Sequence, residues 1–219
     1  MKHEQKKYLM INDSILDLSS GLEIGKGSSR VCFLHPHDRN KCIKITHLSH
    51  SKETMNEVKY YKILKKRGIV WDFLSKYYGS VETSLGKGEV YDLIRDYDGK
   101  VSKTLSFYLQ KEERTKTLEN PILLLANLKK YTLKQGIVVK DLNTKNILYQ
   151  KNDEINVKLI IIDGIANNDH LPFSKYISYF REKKIKRLWK RFEESLPQKY
   201  FFNKYFLSLL NEKRSIIGD

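Results

Sequence analysis

Apolar positions along the chain change their spacing part-way, and that change divides it. In the first half they come in short runs. Residues 15–24 and Arg30–Leu34 flank a Gly/Ser cluster, and Lys41–Thr46 follows the turn signal His35-Pro36-His37-Asp38-Arg39-Asn40. Short apolar runs bounded by Gly, Pro, Asn and Ser predict strands. One helix interrupts them: Ser51 opens a pattern reaching about Lys66, with Val58, Tyr61 and Leu64 on one face. Tyr77–Thr83 and residues 89–94, separated by Leu85-Gly86-Lys87-Gly88, predict a hairpin, and Asp96-Tyr97-Asp98-Gly99 ends the strand pattern.

Beyond that break the spacing turns helical. Leu105–Leu109 is a short segment, and Pro121 opens a longer one carrying Leu124, Leu128, Tyr131 and Leu133 and stopping at Gly136. Residues 147–149 and 158–162 predict two short buried strands, and from Lys175 the pattern is helical again. No repeat, low-complexity tract or Pro/Gly/Ser linker separates the halves. The order predicts an α+β fold in one domain over 1–219, with a strand-rich N-lobe at about 15–95, a hinge at 95–99 and a helical C-lobe at 100–219.

Composition narrows the class. Of 219 residues, 40% are hydrophobic and 31% charged, and 14 Tyr and 9 Phe are enough to close a core. The longest apolar runs, such as Leu159-Ile160-Ile161-Ile162, are far too short to span a bilayer. Residues 1–13 lack the apolar stretch and small-residue cleavage site of a secretory signal, so a cytoplasmic location is expected. Cys32 and Cys42 lie ten apart, outside any metal-binding spacing, and two reduced thiols are expected. The balance of 41 basic to 26 acidic residues, net +15 with pI near 9.6, favours anionic partners. It does not choose among nucleotides, nucleic acid, acidic headgroups and phosphorylated sugars. No recognition motif supports a specific nucleic-acid partner.

Four segments carry candidate chemistry. Gly25-Lys26-Gly27-Ser28-Ser29-Arg30 sits between two predicted strands, where glycines let backbone N–H groups approach phosphate oxygens. A strand rather than a helix follows, so this is no dinucleotide-binding fingerprint. Lys44 stands in the apolar strand Cys42-Ile43-Lys44-Ile45, on the face opposite Ile43 and Ile45. An ammonium buried there needs an anion or a carboxylate, and Glu57 or Glu53 on the following helix can supply it. Asp141-Leu142-Asn143-Thr144-Lys145-Asn146 leads directly into a short strand, and the strand after it ends on Asp163-Gly164. Oxygen donors from Asn146 and Asp163 at two adjacent strand ends suit Mg²⁺, leaving Asp141 to accept a proton from an attacking hydroxyl.

Taken in order, these segments resemble the protein-kinase-like fold. The chain is more closely similar to the YrbL family, the PhoP-regulatory-network kinase-like proteins of Gram-negative bacteria. The likeness rests on Cys42-Ile43-Lys44-Ile45, Glu57-Val58-Lys59-Tyr60-Tyr61, Tyr78-Gly79-Ser80-Val81-Glu82-Thr83, Val90-Tyr91-Asp92, Asp98-Gly99-Lys100, Asn146-Ile147-Leu148 and Arg187-Leu188-Trp189-Lys190-Arg191-Phe192, within residues 18–192. The resemblance favours Glu57 over Glu53. It implies a two-lobed kinase-like fold with a shortened C-lobe, using ATP and Mg²⁺. Gly25, Gly27 and Ser28 would cradle phosphate, Lys44 would hold the α/β-phosphates and pair with Glu57, and backbone groups around Ile94 would hold adenine. Asp141 would be the catalytic base, and Asn146 and Asp163 the magnesium ligands.

The departures from that pattern shape the expectation. Arg30 replaces the third glycine, Val139 and Lys140 replace the catalytic-loop histidine and arginine, and Asn143 stands where a lysine is usual, so Lys140 or Lys145 is expected to take over its contact. After Asp163-Gly164 come Ile165-Ala166-Asn167-Asn168, with no long activation segment to align a peptide. The implied activity is therefore a phosphotransferase acting on a small-molecule or glycolipid hydroxyl, related to lipopolysaccharide. A Ser/Thr protein kinase with autophosphorylation and a nucleotide-binding regulatory pseudokinase are the alternatives. Ile177, Phe180, Ile185, Leu188, Trp189 and Phe192, interleaved with Lys and Arg, predict a basic amphipathic helix. It either closes the C-lobe core or lies on an anionic membrane or lipopolysaccharide-precursor surface, which would make the protein peripheral at the inner membrane.

Overall fold

The computed structural model describes residues 15–166 and 177–217. The polar start of the chain, the pair Asn167-Asn168 and the onset of the last helical pattern at Lys175 lie outside the described residues, as does the side chain of Ile177. The chain is mixed α+β and divides into two units, Met1–Val58 with Ser75–Leu93 and Lys59–Leu74 with Ile94–Asp219.

The first unit is built on one sheet. Its strands are β1 (Ile15–Leu16), β2 (Glu23–Lys26), β3 (Arg30–Leu34), β4 (Lys41–Thr46), β5 (Tyr77–Thr83) and β6 (Gly86–Asp92), in the order β1-β5-β6-β4-β3-β2. All pairs are antiparallel except β1 with β5. Side chains alternate across the sheet. One face buries Leu18, Ile43 and Val90, with Leu16, Phe33, Ile45 and Val81 packed around them. The opposite face receives Cys42, Lys44, Glu89 and Tyr91, all buried. Cys32 and Cys42 are joined by a hydrogen bond between thiols rather than a disulfide, and that bond together with burial pushes the Cys42 thiol well up.

The hairpin of β5 and β6 turns earlier than the glycines predict. Gly88 is inside β6, paired with Ile45 and Val81, and the turn is Ser84-Leu85 between the paired Thr83 and Gly86. The reason is local. Thr83 Oγ1 accepts from Leu85 N at 3.1 Å and donates to Gly86 O, and Gly86 takes φ +97°. Gly88 serves packing instead, because a Cβ there would stand 2.4 Å from Ile43 Cγ2.

Helix α1 (Ser51–Lys66) has its first half in the first unit and its second half in the second. Its buried positions are Glu57, Tyr60, Tyr61 and Leu64, while Val58 is half-buried. The inward turn is drawn towards Tyr60, whose hydroxyl donates to Gly136 O at 3.4 Å and accepts from Val138 N at 2.9 Å.

The second unit continues with β7 (Lys103–Thr104), α2 (Leu105–Leu109), α3 (Glu112–Thr115), α4 (Pro121–Gln135), β8 (Ile147–Lys151), β9 (Val157–Ile161), α5 (Ile177–Lys199) and α6 (Lys204–Ile217). Strands β7, β8 and β9 form a small antiparallel sheet. Helix α4 is capped at its start by Asn120 Oδ1, which accepts from Leu123 N at 3.0 Å. It ends on Gly136 in the left-handed conformation, where Arg67 donates to the Gln135 and Gly136 carbonyls.

Helix α5 buries Ile185, Trp189, Phe192 and Leu196, a stripe at helical spacing, and exposes Lys183, Lys186, Arg187, Lys190 and Arg191. Trp189 Nε1 donates to the buried Thr132 Oγ1 at 2.8 Å. The aromatic stripe thus packs into this unit's core, while Phe180, placed on the same predicted face, is exposed. No described helix is long and apolar enough to cross a membrane.

A break at residues 200–203 divides the last helical pattern, which the periodicity alone does not mark. Asn203, fully buried, makes the break: its Oδ1 accepts from Phe206 N at 2.9 Å as the α6 N-cap. Its Nδ2 donates to Leu109 O at 2.9 Å and Thr115 Oγ1 at 2.7 Å. Asn203→Ala orphans these buried groups and is expected to cost about 2–3 kcal/mol. The urea midpoint followed by Trp fluorescence measures it.

Candidate active site

In the second unit, the loop after α4 and the end of β9 meet through backbone hydrogen bonds. Asp141 N donates to Gly164 O at 3.1 Å, Ala166 N to Val138 O at 3.3 Å and Ile162 N to Asn146 O at 2.9 Å, while Val139 and Ile165 form an antiparallel bridge. Asn143 then caps a 3-10 turn, Thr144–Asn146, its Oδ1 accepting from Lys145 N at 3.2 Å. The turn aims Asn146 back at Asp141: Asn146 Nδ2 donates to Asp141 O at 3.1 Å and to Asp141 Oδ2 at 3.0 Å. Asp163 Oδ1 accepts from Gly164 N at 2.6 Å. Asp141, Asn146 and Asp163 are therefore brought together, with Asp141 exposed to an incoming group.

Gly164 makes this approach possible. Its φ is +80°, and a Cβ would stand 2.5 Å from Asp141 O and 3.0 Å from Asp141 Cβ. Both facts demand glycine.

On the approach to Asp141, Val139 is buried and bridged to Ile165, and Lys140 is exposed. The loop is also held from the end of α5. Tyr200 hydroxyl lies 2.6 Å from Thr144 Oγ1 and donates to Ser106 Oγ at 3.3 Å, all buried. Lys199 Nζ donates to Asn143 Oδ1 at 2.8 Å and Thr144 Oγ1 at 3.1 Å.

In the first unit, Lys44 is 7% exposed, with its Nζ 4.5 Å from the centroid of the buried Tyr91 ring. Directly across the strands from Lys44 is Glu89, also buried, which accepts from Tyr77 hydroxyl at 2.6 Å and Ser80 Oγ at 2.8 Å. Burial and the Glu89 hydrogen bond together push Tyr77 up to about 12. Of the two helix carboxylates, Glu57 is buried and Glu53 exposed. Glu57 Oε2 pairs with Arg30 Nη1 at 2.6 Å. Arg30 thus points not to solvent but to the Glu57 carboxylate.

Gly25, Gly27 and Ser28 form an exposed hairpin tip closed by Gly27 N donating to Arg30 O at 2.8 Å. Neither glycine has positive φ, a Cβ on Gly25 meets nothing within 4 Å, and one on Gly27 meets only Arg30 O at 3.6 Å. The local fold does not itself require glycine here. In the second unit, the half-buried Ile94 gives its carbonyl to Ser102 N at 3.1 Å.

A family model described as PhoP regulatory network protein YrbL matches residues 16–197. The chain belongs to the YrbL family. Uncharacterized protein YrbL of Escherichia coli (strain K12) is 35% identical over 181 residues, covering 81% of this chain and 86% of that protein. The Shigella flexneri protein of the same name matches with the same figures.

Three contributors to this YrbL-family chain escape a reading by motif. Glu89 is hidden because a strand glutamate ordinarily faces solvent, although its alternation with Val90 signals the face it shares with Lys44. The Arg30–Glu57 pair needs the packing of α1 against β3, which no local pattern encodes. Lys199 lies 53 or more residues beyond the loop it touches and reads as one more helix-surface lysine.

Gly164→Ala is expected to lose at least about 2 kcal/mol through its backbone strain and the collision with Asp141. Gly25→Ala is expected to stay within about 0.5 kcal/mol of wild type. Urea denaturation of both variants beside the parent checks the contrast.

Proposed function

We propose that this chain is a phosphotransferase with a two-lobed protein-kinase-like fold, moving the γ-phosphoryl group of ATP to a hydroxyl acceptor of small-molecule or glycolipid class. The observation that carries the reading is the Asp141–Asn146–Asp163 arrangement: an exposed carboxylate, an amide bonded to it, and a second carboxylate fixed by Gly164. Asn146 and Asp163 are too few for an all-protein metal cage, and no group of three or more His, Cys, Asp and Glu suited to a metal occurs among the described residues. They fit Mg²⁺, which takes one or two protein oxygens and completes its shell with water and substrate phosphates. That ion, when bound, would neutralise charge on the phosphates.

The residues then divide the work. Asp141 takes the proton of the acceptor hydroxyl as its oxygen bonds to the γ-phosphorus, and the bond from phosphorus to the β–γ bridging oxygen breaks, releasing ADP. In the first unit, Lys44 is already desolvated and its charge is suited to the α- and β-phosphates, with Glu57 as its positioning carboxylate. The open surroundings of Gly25 give the glycine tip a reason the fold does not: close approach of a phosphate. The missing long activation segment after Asp163 favours a small or glycolipid acceptor over a peptide.

The Arg30–Glu57 pair favours a second reading, a nucleotide-binding regulator, because it engages the carboxylate that Lys44 would use. The family description, with its regulatory network, suits either.

Magnesium-dependent ATP consumption and ³²P transfer, with and without bacterial envelope extract, separate them. The transferase reading expects label in an acceptor, falling by about 10²-fold or more in Asp141→Ala and Asp163→Ala. Wild-type rates in both variants overturn it, and nucleotide binding without transfer under any condition supports the regulator.

A further inference from the structure

Loop position 143 carries Asn where a cation would be expected two residues after Asp141, and the structure brings a cation there from elsewhere. Lys199, at the last position of α5, sets its Nζ against the side chains of Asn143 and Thr144, 2.8 and 3.1 Å away. Lys199 is exposed, but Thr144 beneath its ammonium is buried, with its hydroxyl held by Tyr200. Lys145, between Thr144 and Asn146, is exposed on the same turn.

We propose that Lys199 and Lys145 form a binding site for a phosphoryl group on the catalytic loop, beside Asp141. It deepens the transferase reading and rests on it for the identity of the ligand.

Both partners of the Lys199 ammonium are neutral oxygens, which orient it without neutralising it. Among the described residues, neither Lys199 nor Lys145 has a carboxylate within ion-pairing distance. The two ammonium groups feel one another: burial first and the Lys145 charge second hold Lys199 below the usual lysine value, while Asp141 pulls it the other way. An ammonium fixed by two neutral oxygens, on a turn that also carries the exposed Lys145, is arranged to receive an anion. Lys140, the other loop lysine, is also exposed. The phosphoryl group has two sources, the γ-position of the nucleotide or a phosphate already on the acceptor.

The test uses the full chain and inorganic phosphate, followed by the amide resonances of Asn143, Thr144 and Lys145. Phosphate is expected to move these resonances saturably below about 10 mM. Lys199→Met should weaken binding at least about tenfold and Lys199→Arg less than about threefold, since the charge is kept. Lys190→Met, on the exposed side of α5, should leave it unchanged. Because Lys199→Met also removes a bond to Thr144, Lys145→Met is the second variant, and it too should lose affinity. Equal phosphate binding by wild type, Lys199→Met and Lys145→Met overturns the site, as does a wild type whose loop resonances do not respond. Repeating the titration with a saturating non-hydrolysable ATP analogue and Mg²⁺ separates the sources. Blocked binding assigns the site to the γ-phosphoryl, and persistent binding assigns it to a phosphorylated acceptor. Phosphate binding of this kind without any ATP turnover keeps the site and removes the transferase reading. Equal kcat and KM for ATP in wild type and Lys199→Met, with wild-type loop resonances that do not respond to phosphate, removes the site and keeps the transferase reading.

Discussion

The backbone hydrogen bond from Asp141 to Gly164 is the constraint on which the second unit's candidate site depends. It is ordinary in length, but it joins two chain segments so closely that no side chain fits between them. The bonds on either side of it, from Ile162 to Asn146 and from Ala166 to Val138, make loop and strand end a single hydrogen-bonded patch. Rigid backbone of this kind fixes polar side chains better than side-chain contacts alone can. Asp141, Asn146 and Asp163 inherit their placement from it.

The first unit faces a different demand, that of burying charge. Lys44, Glu57 and Glu89 are each almost fully removed from water, and isolated charges in that setting are prohibitive. The sheet resolves this by alternation. One face takes Ile43 and Val90 and closes the apolar core, which leaves every second residue of β4 and β6 on the other, where the charged groups gather. Glu89 receives two hydroxyls, and Arg30 reaches across from β3 to Glu57. Such an arrangement adds little to stability compared with apolar packing.

Much of this was legible in the residues alone. The helix over Ser51–Lys66, the strand over Lys41–Thr46 and the helix from Pro121 to the Gly136 stop all fall where spacing and caps place them. What could not be read shares one physical cause, dependence on distant partners. Gly88 looks like a turn residue until Ile43 is seen lying over it. Asn203 looks like a mid-helix polar residue until Leu109 and Thr115 receive its amide. Arg30 reads as a spoiled glycine motif, yet it answers a carboxylate on a helix that begins twenty-one residues later.

The fastening of Thr144 by Tyr200 also sets an order in time. A ribosome adding about 5–20 residues each second delivers Thr144 several seconds before Tyr200. During that interval the loop has its sequence and its neighbouring strands but not the hydroxyl that holds it, and the buried amide of Asn203 has yet to reach Leu109 and Thr115. The nascent chain therefore carries an unfinished loop until its helical end has emerged and docked. The placing of Asp141 is thus finished only by the late-synthesised chain, and a product ending before Lys199 lacks the contacts that fasten its loop.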